Sequence, residues 1–196
     1  MARTLGITLR ADQWHLYNTG QTGGLPGMDI NVLPVWQDYR GEGVRIVVFD
    51  TGVDTTHPDL VGNYLADKSF EFTTNTVDGS YIHNLPEWHW HGTFVSGLIS
   101  ADGAGNDLRG VAYESKFASY VNFNGKDAAQ AFAMAADNGF DVMNNSWGSE
   151  HAFLETFHNR PNVLESMTHA VETGRGGLGL NIVVSAGNAY SFVKGY

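Results

Sequence analysis

The amino-acid sequence predicts an α/β fold, a parallel sheet with helices on both faces. Three observations support this prediction. Short apolar runs suited to buried strands alternate with helical segments, no internal repeat or linker interrupts them, and polar residues follow the strands directly. The clearest strand, residues 44–49, ends in Asp50-Thr51-Gly52. An acid at the carboxyl end of a buried strand stands where open α/β sheets place their chemistry.

The chain divides into an arm, residues 1–30, and one folded unit, residues 31–196. The arm is polar and rich in glycine, so we expect irregular backbone. Its apolar residues Trp14 and Leu16 are expected to pack onto the folded unit.

The folded unit contains predicted elements that alternate in type. Residues 32–39 predict a short helix with Asn31 as its N-cap. Residues 54–85 predict a long irregular segment. Later helices are expected over 91–101, 128–137 and 153–172, the last with a break at Pro161, and later strands over 117–121, 142–143 and 181–184.

Composition limits the classes of partner. The 196 residues suffice for one domain with a core, and the formal charge of −10 disfavours nucleic acid and anionic membranes. No apolar run approaches the roughly 20 residues of a membrane span. There are no cysteines, and residues 1–10 do not have the pattern of a signal peptide.

Three polar stretches contain the candidate site residues. The first is Asp50-Thr51-Gly52, the second is HGTFVSG at 91–97, which opens an apolar helical segment, and the third is SAGN at 185–188, which ends a strand. Taken alone, Asp50 is equally compatible with a turn or a helix cap. The combination of the three stretches favours a catalytic site.

These three stretches resemble the motifs of the subtilisin-like serine proteases, the subtilases. Four more stretches look like the kexin and furin branch of that family: DQWHL at 12–16, HPDLVGNY at 57–64, NSWG at 145–148 and GRGGLG at 174–179. The similarity runs in order from about residue 12 to the end. It implies the three-layer subtilisin-like sandwich, in incomplete form.

The resemblance implies a role for each candidate residue. Asp50 would orient the imidazole of His91, and His91 would act as general base and then general acid. Asn188 would donate its amide to the oxyanion, although it also suits a left-handed turn, and the following Ala189 departs from the usual glycine. The substrate-cleft residues would be Ser146, Trp147 and Gly148, with core packing an equal alternative for Trp147.

The fourth motif of the family, G-T-S, does not occur in this chain. The resemblance therefore implies part of a serine endopeptidase that acts on peptides or proteins. Its nucleophilic serine is expected on a downstream segment, possibly a separate chain. The family also implies a secreted or periplasmic location.

The family usually holds a calcium ion near the N-terminal arm. Asp59 matches one ligand, whereas Ile7 and Ala104 stand where two other side-chain ligands are expected. Asp102, Asn106 or Asp107 could substitute for these two ligands. Because calcium takes six to eight oxygens, we expect a weakened or rearranged calcium site centred on Asp59.

Two other functions stay open at this point. His83, His89 and His91 are close in sequence, and His89 and His91 are spaced as on one strand face, which would suit a metal site. The chain is also compatible with a non-catalytic fragment or binding module that retains a protease fold.

Overall fold

A computed structural model of the chain describes residues 9–81, 89–121, 127–148, 157 and 159–188. In this part of the chain, five parallel strands form one sheet in the order β2-β3-β1-β4-β5. The strands are β1 (Arg45–Asp50), β2 (Phe70–Glu71), β3 (Lys116–Val121), β4 (Val142–Asn145) and β5 (Asn181–Val184). The helices are α1 (His91–Ser100), α2 (Ala128–Asp137) and α3 (Pro161–Gly177).

Helices cover both faces of the sheet, as the sequence predicts. Five of the six residues of β1, and five of six in β3, are buried, because these two strands lie inside the sheet. Val47 and Phe49 point into a core shared with α2 and α3, whereas Ile46 points into a second core with residues at the end of α1. This alternation is the period of two expected of a strand.

The arm is attached through a third, smaller core. Leu16 is buried there with Trp36 and Tyr113. The indole N–H of Trp36 donates a hydrogen bond to the carbonyl oxygen of Val111 (2.8 Å). Leu16 therefore packs as predicted, but Trp14 does not, since 47% of its surface is exposed.

The helix predicted over 32–39 is wrong in type and extent. Only a 3-10 turn, Val35–Gln37, forms there. Asn31 does not cap it: its φ angle is 53°, and its N–H donates to the Asp29 carboxylate. This segment has no helical repeat of apolar residues. Burial of Trp36 holds it in place instead, and only a short turn forms.

The long segment over 54–85 contains two elements that the sequence does not predict. These are a 3-10 turn, Ala66–Lys68, and the short edge strand β2. The predicted break at Pro161 is where α3 begins, and the backbone of α3 leaves helical angles at Gly174. Before Pro161, residues 153–156 and 158 of the predicted helix lie outside the described residues, and residues 157, 159 and 160 are not helical.

Strand β5 forms one edge of the described sheet. Val183 and Val184 are 51% and 40% exposed, which is high for valines in a strand. Backbone groups on the outer side of an edge strand are templates for pairing. Strand β5 therefore presents an exposed apolar surface at this side of the described sheet.

Candidate active site

Two of the predicted site residues, Asp50 and His91, are in direct contact. Nδ1 of His91, the first residue of α1, lies 2.7 Å from Oδ1 of Asp50, the last residue of β1. The Asp50 side chain is 2% exposed and the His91 side chain is 43% exposed. An ionised carboxylate only accepts hydrogen bonds, so Nδ1 holds the proton in this contact and Nε2 is the nitrogen that can accept another.

Asp50 controls the proton affinity of His91. The hydrogen bond to Asp50 raises the pKa of His91 above its ordinary value of about 6.5, and the negative charge of Asp50 acts in the same direction. Partial burial of the ring opposes this change. Asp50 thus makes the His91 ring a stronger base than a free imidazole.

Asp50 is itself held by its own loop. Its Oδ1 also accepts the N–H of Thr51 (2.8 Å). Its Oδ2 is buried and has no hydrogen-bond partner among the residues that the structure describes. A buried carboxylate oxygen without a partner is costly, so this atom marks a position for a further donor.

Two threonines join the loop after β1 to the start of α1. The hydroxyl of Thr51 accepts the N–H of Gly92 (3.1 Å), and the hydroxyl of Thr93 accepts the N–H of Asp54 (2.9 Å). Close approach requires glycine at Gly92, because a Cβ there would lie 2.3 Å from the carbonyl oxygen of Gly52. The D-T-G and H-G-T stretches are therefore two halves of one contact that brings Asp50 to His91.

The predicted cleft residues follow β4 directly. They lie at the carboxyl ends of the strands, where Asp50 also lies. The indole N–H of Trp147 donates to the carbonyl oxygen of Phe49 (2.8 Å), and the Trp147 carbonyl accepts the hydroxyl of Ser185 (3.1 Å). The Ser146 hydroxyl accepts the amide of Asn144 (2.9 Å), and Gly148 is exposed. Trp147 also packs edge-on against Phe49, so the packing alternative for this residue is confirmed.

The predicted oxyanion residue lies on the loop after β5. Asn188 is exposed, and the left-handed residue of this loop is Gly187 (φ 79°) rather than Asn188. Because β1, β4 and β5 are parallel, their carboxyl ends point in the same direction. The loop of Asn188, the cleft segment and Asp50 therefore follow the strands on the same side of the sheet.

Asp59, the residue predicted to bind calcium, is fully buried. Its Oδ1 accepts the backbone N–H groups of Gly105 (2.9 Å) and Asn106 (2.8 Å). Within the described residues, no group of three or more His, Cys, Asp or Glu side chains is placed to hold a metal ion. Two N–H donors thus occupy one oxygen of Asp59, and the calcium site expected here stays a prediction.

The histidine cluster has other contacts. His83 lies outside the described residues. His89 stacks on Tyr81 at 5.6 Å between ring centroids, and His91 is bonded to Asp50. The metal-site alternative therefore gains no support from the part of the chain that the structure describes.

The outer side of α1 and the turn before it expose an apolar row. Trp90, Phe94 and Leu98, spaced four residues apart, are 43%, 73% and 49% exposed. They line a groove of about 610 Å³ that extends to Leu60 and Leu108. Rows at this spacing are typical of a helix face that packs against another element.

The chain is thus an α/β protein with an Asp–His pair at the carboxyl ends of a parallel sheet. The profile of the Subtilase family matches residues 41–195. The chain belongs to this family of serine proteases.

Individual relatives agree with this assignment. The chain is 36% identical over 187 residues to neuroendocrine convertase 2 of Mus musculus, a match that covers 92% of this chain and 29% of that protein. It is 34% identical over 184 residues to PC3-like endoprotease variant B of Hydra vulgaris, covering 90% and 26%. The chain thus spans less than a third of the length of these relatives, and the resemblance to the kexin and furin branch is confirmed.

Solved structures confirm the predicted fold class. The serine protease of Aeromonas sobria, solved with its chaperone, superposes with a TM-score of 0.73 over 91% of this chain and 31% of that one, at 24% identity. Sphericase gives a TM-score of 0.59 over 81% of this chain and 48% of that one, at 30% identity. The described helices include none long and apolar enough to cross a membrane.

Proposed function

We propose that this chain supplies the acid–base half of a subtilisin-like serine endopeptidase. The 2.7 Å contact between His91 and Asp50 is the observation on which the proposal rests. In this role Asp50 fixes the tautomer of His91 and stabilises the imidazolium, and His91 takes the proton of a serine hydroxyl and then donates it to the leaving amine. Asn188 donates its side-chain amide to the oxyanion.

The attacking serine belongs to a Ser-bearing segment outside residues 1–196, either downstream in a longer chain or on a second chain. None of Asp50, His91 and Asn188 can replace an attacking hydroxyl. Three features support a missing partner: the exposed β5 edge, the apolar groove on α1 and the unpartnered Oδ2 of Asp50 within the described residues.

The substrate is a peptide or protein that lies along the segment Ser146–Gly148. The hydrogen bond from the Ser185 hydroxyl to the Trp147 carbonyl supports a role in substrate binding, because it joins this segment to the loop of Asn188. The names of the relatives, a convertase and an endoprotease, point to the same substrate class. The proposed location is secreted or periplasmic.

The experiment is to mix this chain with a Ser-bearing segment of a related subtilase and add a fluorophosphonate probe, which labels activated serines. We expect labelling of the segment only in the mixture. The two halves of the related subtilase, mixed with each other, are the positive control.

Two results would contradict the proposal. One is labelling of any serine within residues 1–196. The other is failure of the mixture while the control halves label, which would favour the alternative of a non-catalytic binding module with a protease fold.

A further inference from the structure

The loop after α1 is fastened to the body through Asp59. Besides the two N–H groups on its Oδ1, the Oδ2 of Asp59 lies 3.4 Å from the side-chain amide of Asn106. The backbone of Asp59 joins the same loop, because its carbonyl oxygen accepts the N–H of Asp102 (2.9 Å). The carboxylate of Asp59 therefore contacts Gly105 and Asn106, and its backbone carbonyl contacts Asp102.

The loop is shaped to present N–H groups to this carboxylate. Asp102 accepts the N–H of Ala104 (2.9 Å) and folds the loop back. Gly105 then passes so close to Pro58 that a Cβ would lie 2.4 Å from the Pro58 Cβ atom. Only glycine permits the approach that brings the N–H of Gly105 to Asp59.

A positive side chain of the arm lies near the same place. The guanidinium of Arg10 pairs first with Asp12 (2.8 Å) and also reaches the carbonyl oxygen of Asn106 (3.5 Å). The charge of Asp59 adds to that of Asp12 in raising the pKa of Arg10. The negative charge of Asp59 is thus opposed by N–H dipoles close by and by a guanidinium further out.

We propose that Asp59 fastens this loop without a metal ion, and that the chain's own N–H groups take the place of calcium at this position. An N–H group and a metal ion compete for the same lone pairs of a carboxylate. With its Oδ1 bonded twice, Asp59 offers calcium no free pair on that oxygen. The chain also places an alanine, Ala104, where a side-chain oxygen is expected.

The test is thermal unfolding of the whole chain, followed by circular dichroism, in excess calcium and in excess EDTA. We expect the same midpoint in both. Asp59→Asn, which turns an accepting oxygen into an N–H donor facing other donors, should lower the midpoint by the same several degrees in both buffers. Asp67→Asn, an exposed aspartate, is the matched control and should leave the midpoint unchanged.

Either of two results would overturn this inference. The first is a higher midpoint for the wild-type chain in calcium than in EDTA, which needs no variant to fold. The second is terbium luminescence, excited through tryptophan, that appears with the wild-type chain and disappears with Asp59→Asn. Neither readout depends on protease activity, so the proposed function can fail or hold independently.

Discussion

The indole N–H of Trp147 donates a hydrogen bond to the carbonyl oxygen of Phe49, one residue before Asp50 (2.8 Å). The Trp147 ring also packs edge-on against Phe49 (5.4 Å between centroids) and Phe157 (5.7 Å). Trp147 therefore supports the carboxyl end of β1, where Asp50 lies.

Replacing Trp147 by Phe should weaken the fold at this point. The variant keeps an aromatic ring but loses the donor, and leaves the carbonyl of the buried Phe49 with one partner fewer. We expect the free energy of unfolding to fall by about 1–2 kcal/mol. Urea denaturation measures it, with Trp14→Phe at a half-exposed position as control. Equal stability of the two variants would contradict the supporting role.

Close approach of two glycines should be essential to the Asp50–His91 contact. A Cβ at Gly92 would meet the carbonyl oxygen of Gly52 at 2.3 Å, so Gly92→Ala must displace the start of α1. We expect a loss of about 1–3 kcal/mol and a lower pKa of His91, read by NMR titration.

Gly97→Ala in the same helix is the control for this prediction. The nearest atom to a Cβ there is a methyl group of Leu108 at 3.5 Å, an ordinary contact. Since alanine favours a helix over glycine by about 1 kcal/mol, this variant should be equal to the wild type or more stable. A destabilised Gly97→Ala beside a tolerated Gly92→Ala would refute the close-approach argument.

His91 should make stability depend on pH. Its raised folded-state pKa means that the protonated ring stabilises the fold. This contribution is complete below the unfolded pKa of about 6.5 and is lost as the pH rises through the folded value. The difference in unfolding free energy between wild type and His91→Gln should therefore shrink over that interval, as measured by urea denaturation at a series of pH values.

His15 gives the opposite dependence and serves as the comparison. Burial lowers the pKa of His15, so its contribution is lost as the pH falls. The difference between wild type and His15→Gln should change in the other direction. A His91 difference that is constant with pH would show that Asp50 does not hold the imidazolium.

The sequence predicts the central strands, α1, α2 and the Asp50–His91 pair because these depend on local patterns. Strong apolar runs define β1 and β3, and a parallel sheet brings their carboxyl ends to one edge. Strand β2 is missed because it has two residues, too few for a period to be visible.

Other features depend on contacts between distant residues. The partner of the Trp147 indole is a backbone oxygen of β1, which no side-chain motif encodes. Thr51 and Thr93 belong to the recognised motifs, but their hydrogen bonds join two separate stretches of the chain. No sequence pattern predicts those bonds. The calcium expectation at Asp59 follows the family pattern, whereas the N–H donors that surround it come from the loop after α1.

The most direct test of the acid–base role is the rate at which a fluorophosphonate labels the serine of an added Ser-bearing segment. With the wild-type chain we expect rapid labelling that rises with pH above the ordinary imidazole pKa, as His91 loses its proton. Asp50→Asn should slow labelling on the order of 10⁴-fold, the effect of the same change at the triad Asp of another serine protease. His91→Ala should abolish it. Labelling at the wild-type rate with either variant bound and folded would contradict the account.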